Sequence, residues 1–93
     1  MSELNSTLLI QVSGRVQGVG FRYSTLIQAR SLNITGWVRN REDGSVEVLG
    51  QGSDDALEVF TRFLTVGPPG AKVTSISVRR DAHTVDAESF EIR

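Results

Sequence analysis

Arg22 stands just behind a loop that carries glycines at 14, 18 and 20 and a second arginine, Arg15. Glycine admits positive φ and lets main-chain N–H groups turn to one side. The apolar run Leu8-Leu9-Ile10-Gln11-Val12 ahead of the loop reads as a strand, and Phe21 to Leu32 behind it as a helix. A helix that starts at such a loop adds unpaired N–H groups and the positive end of its dipole. The stretch from Ser13 to Arg22 is therefore suited to hold a phosphate-sized anion. It matches neither Gly-x-Gly-x-x-Gly nor the Walker form, which closes on Gly-Lys-Ser/Thr. Spacing alone leaves a plain tight turn as the competing reading.

The place of Arg22 on its helix adds weight. At about 100° per residue, Phe21, Thr25, Leu26, Ala29 and Leu32 share a side, and Arg22 falls among them. Helical side chains lean toward the N-terminus, so Arg22 reaches back toward the glycine loop. A guanidinium inside an apolar stripe needs a partner. No acidic residue lies between Glu3 and Glu42, so an internal carboxylate must come from far along the chain; an anion is the other candidate. Tyr23 and Ile27 sit on the opposite side, one turn apart, as exposed packing or a minor contact face.

The elements that position these residues follow in order. Strand one is Thr7 to Ser13, with Leu8, Ile10 and Val12 on one face. After the first helix, Thr35 to Arg41 reads as a second strand, Glu42-Asp43-Gly44 as a turn, and Ser45 to Leu49 as a third strand completing a hairpin. Val38 and Asn40 share a face by the two-residue period. Taken alone, Asn40 reads first as a turn-forming asparagine at the hairpin's end.

Ser53 caps a second helix whose apolar face is Ala56, Leu57, Phe60, Phe63 and Leu64. Asp54 and Asp55 suit its positive end and need no chemical role. Gly67-Pro68-Pro69-Gly70 stops the helix. Val73 to Arg80 is strand four, with Ile76 and Val78 inward. Asp81 to Ala87 is a polar loop holding His83, and Ser89 to Arg93 is a short last strand with Phe90 and Ile92 on one face. The order is that of an α+β, ferredoxin-like split βαβ sandwich (βαββαβ), an antiparallel sheet with two helices on one face.

Bulk properties narrow the function. The 93 residues form a single domain, 1–93, and an apolar fraction of 39% supplies one core. A net charge of −1 does not favour non-specific nucleic-acid binding. Nine of the ten basic residues are arginine, whose planar fork suits phosphate. With no cysteine and one histidine there is no disulfide, thiolate nucleophile or Cys-based metal site, and no second histidine for His83. No basic leader and no span of membrane length is present, so a cytoplasmic protein, taken as a monomer, is expected.

Gly14-Arg15-Val16-Gln17-Gly18-Val19-Gly20-Phe21-Arg22, followed by Gly36-Trp37-Val38-Arg39-Asn40 and Gly44-Ser45-Val46-Glu47, resembles the acylphosphatase family. The likeness continues through Gly67-Pro68-Pro69-Gly70-Ala71 and Phe90-Glu91-Ile92. It implies hydrolysis of acyl phosphates to carboxylate and inorganic phosphate. It also implies that the main-chain N–H groups of Arg15, Val16, Gln17, Gly18, Val19 and Gly20, with the Arg22 guanidinium, bind the phosphate, and that Asn40 orients the attacking water. Trp37 matches the family's aromatic on the hairpin and Ser45 a hydroxyl near the asparagine. Gly20 stands where members carry a bulky residue, which would loosen the loop, and Tyr23 where members carry a basic one. No metal and no cofactor is implied; phosphate or sulfate is the expected ligand of the site.

The chemistry is consistent with those residue types. The carboxylate of an acyl phosphate leaves without protonation, so no general acid is needed. Two other readings remain at this level. One is a module of the same fold that binds phosphate or carbamoyl phosphate without turnover, like the acylphosphatase-like domain of hydrogenase maturation proteins. The other is an RNA-binding sheet, disfavoured by the net charge and by the lack of aromatics on strand one.

Overall fold

The computed structural model describes residues 5–81 and 88–93. The chain runs β1 (Asn5–Arg15), α1 (Phe21–Ser31), β2 (Thr35–Asn40), β3 (Val46–Ser53), α2 (Asp54–Val66), β4 (Lys72–Arg80) and β5 (Phe90–Ile92). The strands form one sheet in the order β4-β1-β3-β2-β5. The expected loop around His83 lies outside the described residues.

The sheet is mixed, which corrects the expectation of an antiparallel one. β1 pairs antiparallel with β3 and β4, and β2 with β3, but β5 runs parallel to β2 with Gly36 opposite Phe90 and Val38 opposite Ile92. The two-residue period that identified Phe90 and Ile92 as strand residues carries no information on their partner. β5 is the expected short last strand, and as a member of the sheet it adds a fifth strand to the four of the βαββαβ pattern.

One face of the sheet is covered. Ile10, Val12, Val38, Val46 and Val48 are fully buried with Phe21 and Ala29 of α1 and Leu57, Phe60 and Leu64 of α2. α1 lies against β2 and β5, and α2 against β1, β3 and β4. Phe60 meets Phe90 edge-on at 6.0 Å between ring centres. The Ser53 hydroxyl accepts from Ala56 N–H at 3.2 Å, capping α2 as its sequence implied.

β3 runs four residues beyond the expected end at Leu49. Gly50 and Gly52 look like strand breakers in sequence but are close-approach positions. A Cβ on Gly50 would lie 3.2 Å from the Phe60 ring, and one on Gly52 would lie 3.1 Å from Ile34. Val78 also departs from expectation. It is opposite Ile10 and so on the helix-covered side, yet 46% exposed, because β4 is an outer strand. No helix among the described residues is long and apolar enough to cross a membrane.

Candidate active site

The loop between β1 and α1 opens on a β-bulge at Ser13/Gly14. Gly18 and Gly20 then take φ of 74° and 76°, values that suit glycine. A Cβ at either would meet nothing within 4 Å, so these glycines serve the backbone's path and not a tight fit. Gly20 is the N-cap of α1, with no side-chain hydrogen bond to the cap and no acidic residue in the first turn. The positive end of the helix therefore has neither a capping side chain nor a first-turn carboxylate of its own.

A hollow of about 190 Å³ opens at this helix end, lined by Val16, Gly18, Gly20, Phe21, Arg22, Tyr23, Asn40 and Ile92. Arg22 is half-buried, and among the described residues no carboxylate or hydrogen-bond acceptor engages its guanidinium. Asn40 arrives from the last position of β2, exposed, with its side-chain amide also unengaged among the described residues. Pairing of Asn40 with Val46 of β3 holds that strand end in place, while the pairing of β2 with β5 stops at Val38.

The other loop residues are placed differently. Arg15 ends β1, exposed, opposite Lys72 and away from the hollow's lining. The side chain of Val16 is buried in the core and that of Val19 packs against it, so each can offer only its main chain to a ligand. Gln17 was expected to contribute a main-chain N–H; its side chain does something the sequence did not reveal. Its Nε2 donates to the carbonyl of Arg41 at 2.8 Å and to that of Ser45 at 2.9 Å. One amide thus ties the glycine loop to the hairpin turn directly after Asn40. A glutamine in a glycine-rich loop carries no sequence signal for this.

The turn itself is knitted together. Asp43 Oδ1 accepts from the Ser45 hydroxyl at 2.6 Å and from Ser45 N–H at 2.9 Å, while Gln11 Nε2 donates to the same hydroxyl at 3.2 Å. The Ser45 hydroxyl and then its N–H hold the Asp43 carboxyl below its ordinary pKa. Ser45, matched by resemblance to a hydroxyl near the asparagine, is buried and engaged within the turn. Arg39 and Arg41 flank Asn40 in sequence, and both pair with Glu47, at 2.6 and 3.2 Å. Trp37 lies under two guanidinium groups, Arg39 at 5.3 Å and Arg93 at 5.2 Å from its ring centre. Among the described residues no three His, Cys, Asp or Glu side chains gather as metal ligands would.

Comparison with known proteins gives a consistent answer. The family model for acylphosphatase matches residues 8–92. An acylphosphatase of Bacillus subtilis (strain 168) is 51% identical over 83 residues, which is 89% of this chain and 91% of that one. The crystal structure of acylphosphatase from Bacillus subtilis superposes with a TM-score of 0.91 at 42% identity, covering 95% of this chain and 98% of that one. A segment of full-length HypF, solved in the phosphate- and nucleotide-bound form, superposes with a TM-score of 0.87 at 25% identity; this chain covers 12% of its length.

Proposed function

The chain belongs to the acylphosphatase family, hydrolases that split the carboxyl–phosphate bond of acyl phosphates, and on that premise we propose how its residues divide the work. The main-chain N–H groups of residues 15–20 and the Arg22 guanidinium hold the phosphoryl group. The Asn40 amide orients a water for in-line attack on phosphorus. The water's oxygen bonds to phosphorus as the bond to the carboxyl oxygen breaks, and the carboxylate departs as the anion. The water's proton passes to a phosphoryl oxygen, the base at hand.

In a loose transition state the negative charge lies on the outer phosphoryl oxygens. Donors fixed by the fold stabilise it without reorganising. Asn40 contributes by orientation, which removes an entropic part of the barrier. The observation that carries this reading is the meeting of Arg22 and Asn40, from α1 and β2, at one hollow beside Gly18 and Gly20. Arg15 and Val19 enter only through their main chains, and Gln17 has a second role through its side chain. In the same reading the chain folds as one unit, works as a monomer, and takes free phosphate or sulfate in the site.

The test is turnover of benzoyl phosphate by Arg22→Gln and Asn40→Ala. Each variant is expected to lose about 100-fold or more in kcat, with an unchanged circular dichroism spectrum. Inorganic phosphate should raise the melting temperature of the wild-type protein and of Asn40→Ala but not of Arg22→Gln. Wild-type turnover in either variant refutes the assignment. A module that binds without hydrolysing would show the phosphate-induced shift and no turnover.

A further inference from the structure

Four apolar side chains line the hollow without a part in holding phosphate or water: Val16 and Phe21 are buried in the core, whereas Tyr23, 64% exposed, and Ile92, 40% exposed, are open to solvent. The latter two are large and come from different elements, α1 and β5. Ile27, 50% exposed, lies one helical turn beyond Tyr23 on the same side of α1. The next residue on that side, Arg30, donates from Nη2 to the carbonyl of Phe90 at 3.3 Å. This side of α1 therefore follows β5: Tyr23 and Ile92 both line the hollow, Arg30 reaches the Phe90 carbonyl at the other end, and on the helix Ile27 falls between Tyr23 and Arg30. The result is an apolar strip that begins at the hollow and leads away from it.

Resting on the assignment of Arg22 and Asn40 above, we infer that the strip of Tyr23, Ile92 and Ile27 seats the acyl group of the substrate. The site then selects acyl phosphates with an apolar acyl chain or ring of several carbons. The phosphoryl group is fixed at the helix end, so its acyl substituent must leave the hollow across the lining that does not hold the phosphate. Tyr23 and Ile92 are the solvent-open part of that lining. The charged groups nearby do not compete for an acidic acyl group. Arg39 and Arg41 are engaged by Glu47, Arg93 pairs with Glu91 at 3.2 Å, Arg15 lies on the β4 side of the loop, and Arg30, at the end of the strip away from the hollow, donates to the Phe90 carbonyl. An acyl group with a distal carboxylate would set that charge against the apolar strip.

The experiment compares kcat/KM of the full chain for acetyl, hexanoyl, benzoyl and 4-carboxybenzoyl phosphate. Hexanoyl and benzoyl phosphate should exceed acetyl phosphate by about tenfold, a modest figure for a one-sided apolar contact. The 4-carboxylate should cost about tenfold relative to benzoyl phosphate. Tyr23→Ser combined with Ile92→Ser should bring the hexanoyl-to-acetyl ratio down toward one. Val78→Ser, on the opposite outer strand, should leave that ratio at its wild-type value. Tyr23→Lys should raise 4-carboxybenzoyl phosphate relative to benzoyl phosphate, a gain that a merely structural role does not produce. Equal kcat/KM for all acyl groups in the wild-type protein, or a hexanoyl preference that survives the double substitution, overturns the inference. Failure of the wild-type protein to turn over any of the four removes the assignment of the hydrolytic site itself.

Discussion

Replacing Gln17 by methionine keeps the side chain's length and removes its donors. The two hydrogen bonds at stake, to the carbonyls of Arg41 and Ser45, are short and neutral. Each such bond contributes about 0.5–1.5 kcal/mol net. Both acceptors keep a main-chain donor when Gln17 is lost, since Gly44 N–H reaches Arg41 O at 3.2 Å and Arg41 N–H reaches Ser45 O at 2.8 Å. Neither carbonyl is orphaned, so the pair should cost about 1–2 kcal/mol in total. Gln17→Glu should cost more, because it sets carboxylate oxygens against two carbonyl oxygens. The catalytic loss should exceed what stability alone explains. The amide fixes the spacing between the glycine loop and the strand end bearing Asn40; if these two hold the substrate as proposed, a misplacement of the order of an ångström costs about tenfold or more in rate. Urea unfolding with tryptophan fluorescence reads the stability, and benzoyl phosphate kinetics read the rate. We expect kcat and kcat/KM to fall together in Gln17→Met, the sign of an interaction that matters in the transition state. A Gln17→Met protein with wild-type unfolding and wild-type kcat refutes this reasoning, as does a glutamate variant more stable than the methionine one.

Other expectations are more local. Gly36 has φ of 136°, and a Cβ there would lie 1.9 Å from the carbonyl oxygen of Leu49; Gly36→Ala should cost about 3 kcal/mol or more, measured by thermal unfolding. Asp43 has a folded pKa below its unfolded one, so its contribution to stability is present above the unfolded value and disappears as pH falls through the folded value. The gap in melting temperature between the wild-type protein and Asp43→Asn should accordingly close on acidification.

How far the sequence could be read depended on whether the controlling interaction was local. The period of Leu57, Phe60 and Leu64 and the Ser53 cap define α2 within a dozen residues, and its burial follows the expected face. Phe21, Thr25 and Ala29 likewise mark the inner side of α1, and the place of Arg22 beside them pointed to the hollow. The misreadings concern contacts between distant segments. Gly50 and Gly52 are glycines because α2 and Ile34 press on β3, a reason invisible along the strand. The parallel partner of β5, the exposure of Val78 and the reach of Gln17 to the hairpin each depend on what lies beside a residue in space. For the site, the glycines and Arg22 suggested an anion loop from residue type and order, Asn40 entered only through the resemblance to acylphosphatases, and the apolar side formed by Tyr23 and Ile92 required the placement of β5.

The outer position of β4 bears on how the protein behaves in concentrated solution. Among the described residues β4 is a nine-residue strand at the rim of the sheet with no strand beyond it, and such an edge offers main-chain donors and acceptors to a passing strand, the first step of aggregation. Lys72, Arg79 and Arg80, all exposed, stud this rim and oppose its docking against an identical one by charge repulsion. That protection is ionic, and its range shrinks from about 10 Å at 0.1 M salt to about 3 Å at 1 M. Concentrated stocks should therefore keep best at low ionic strength.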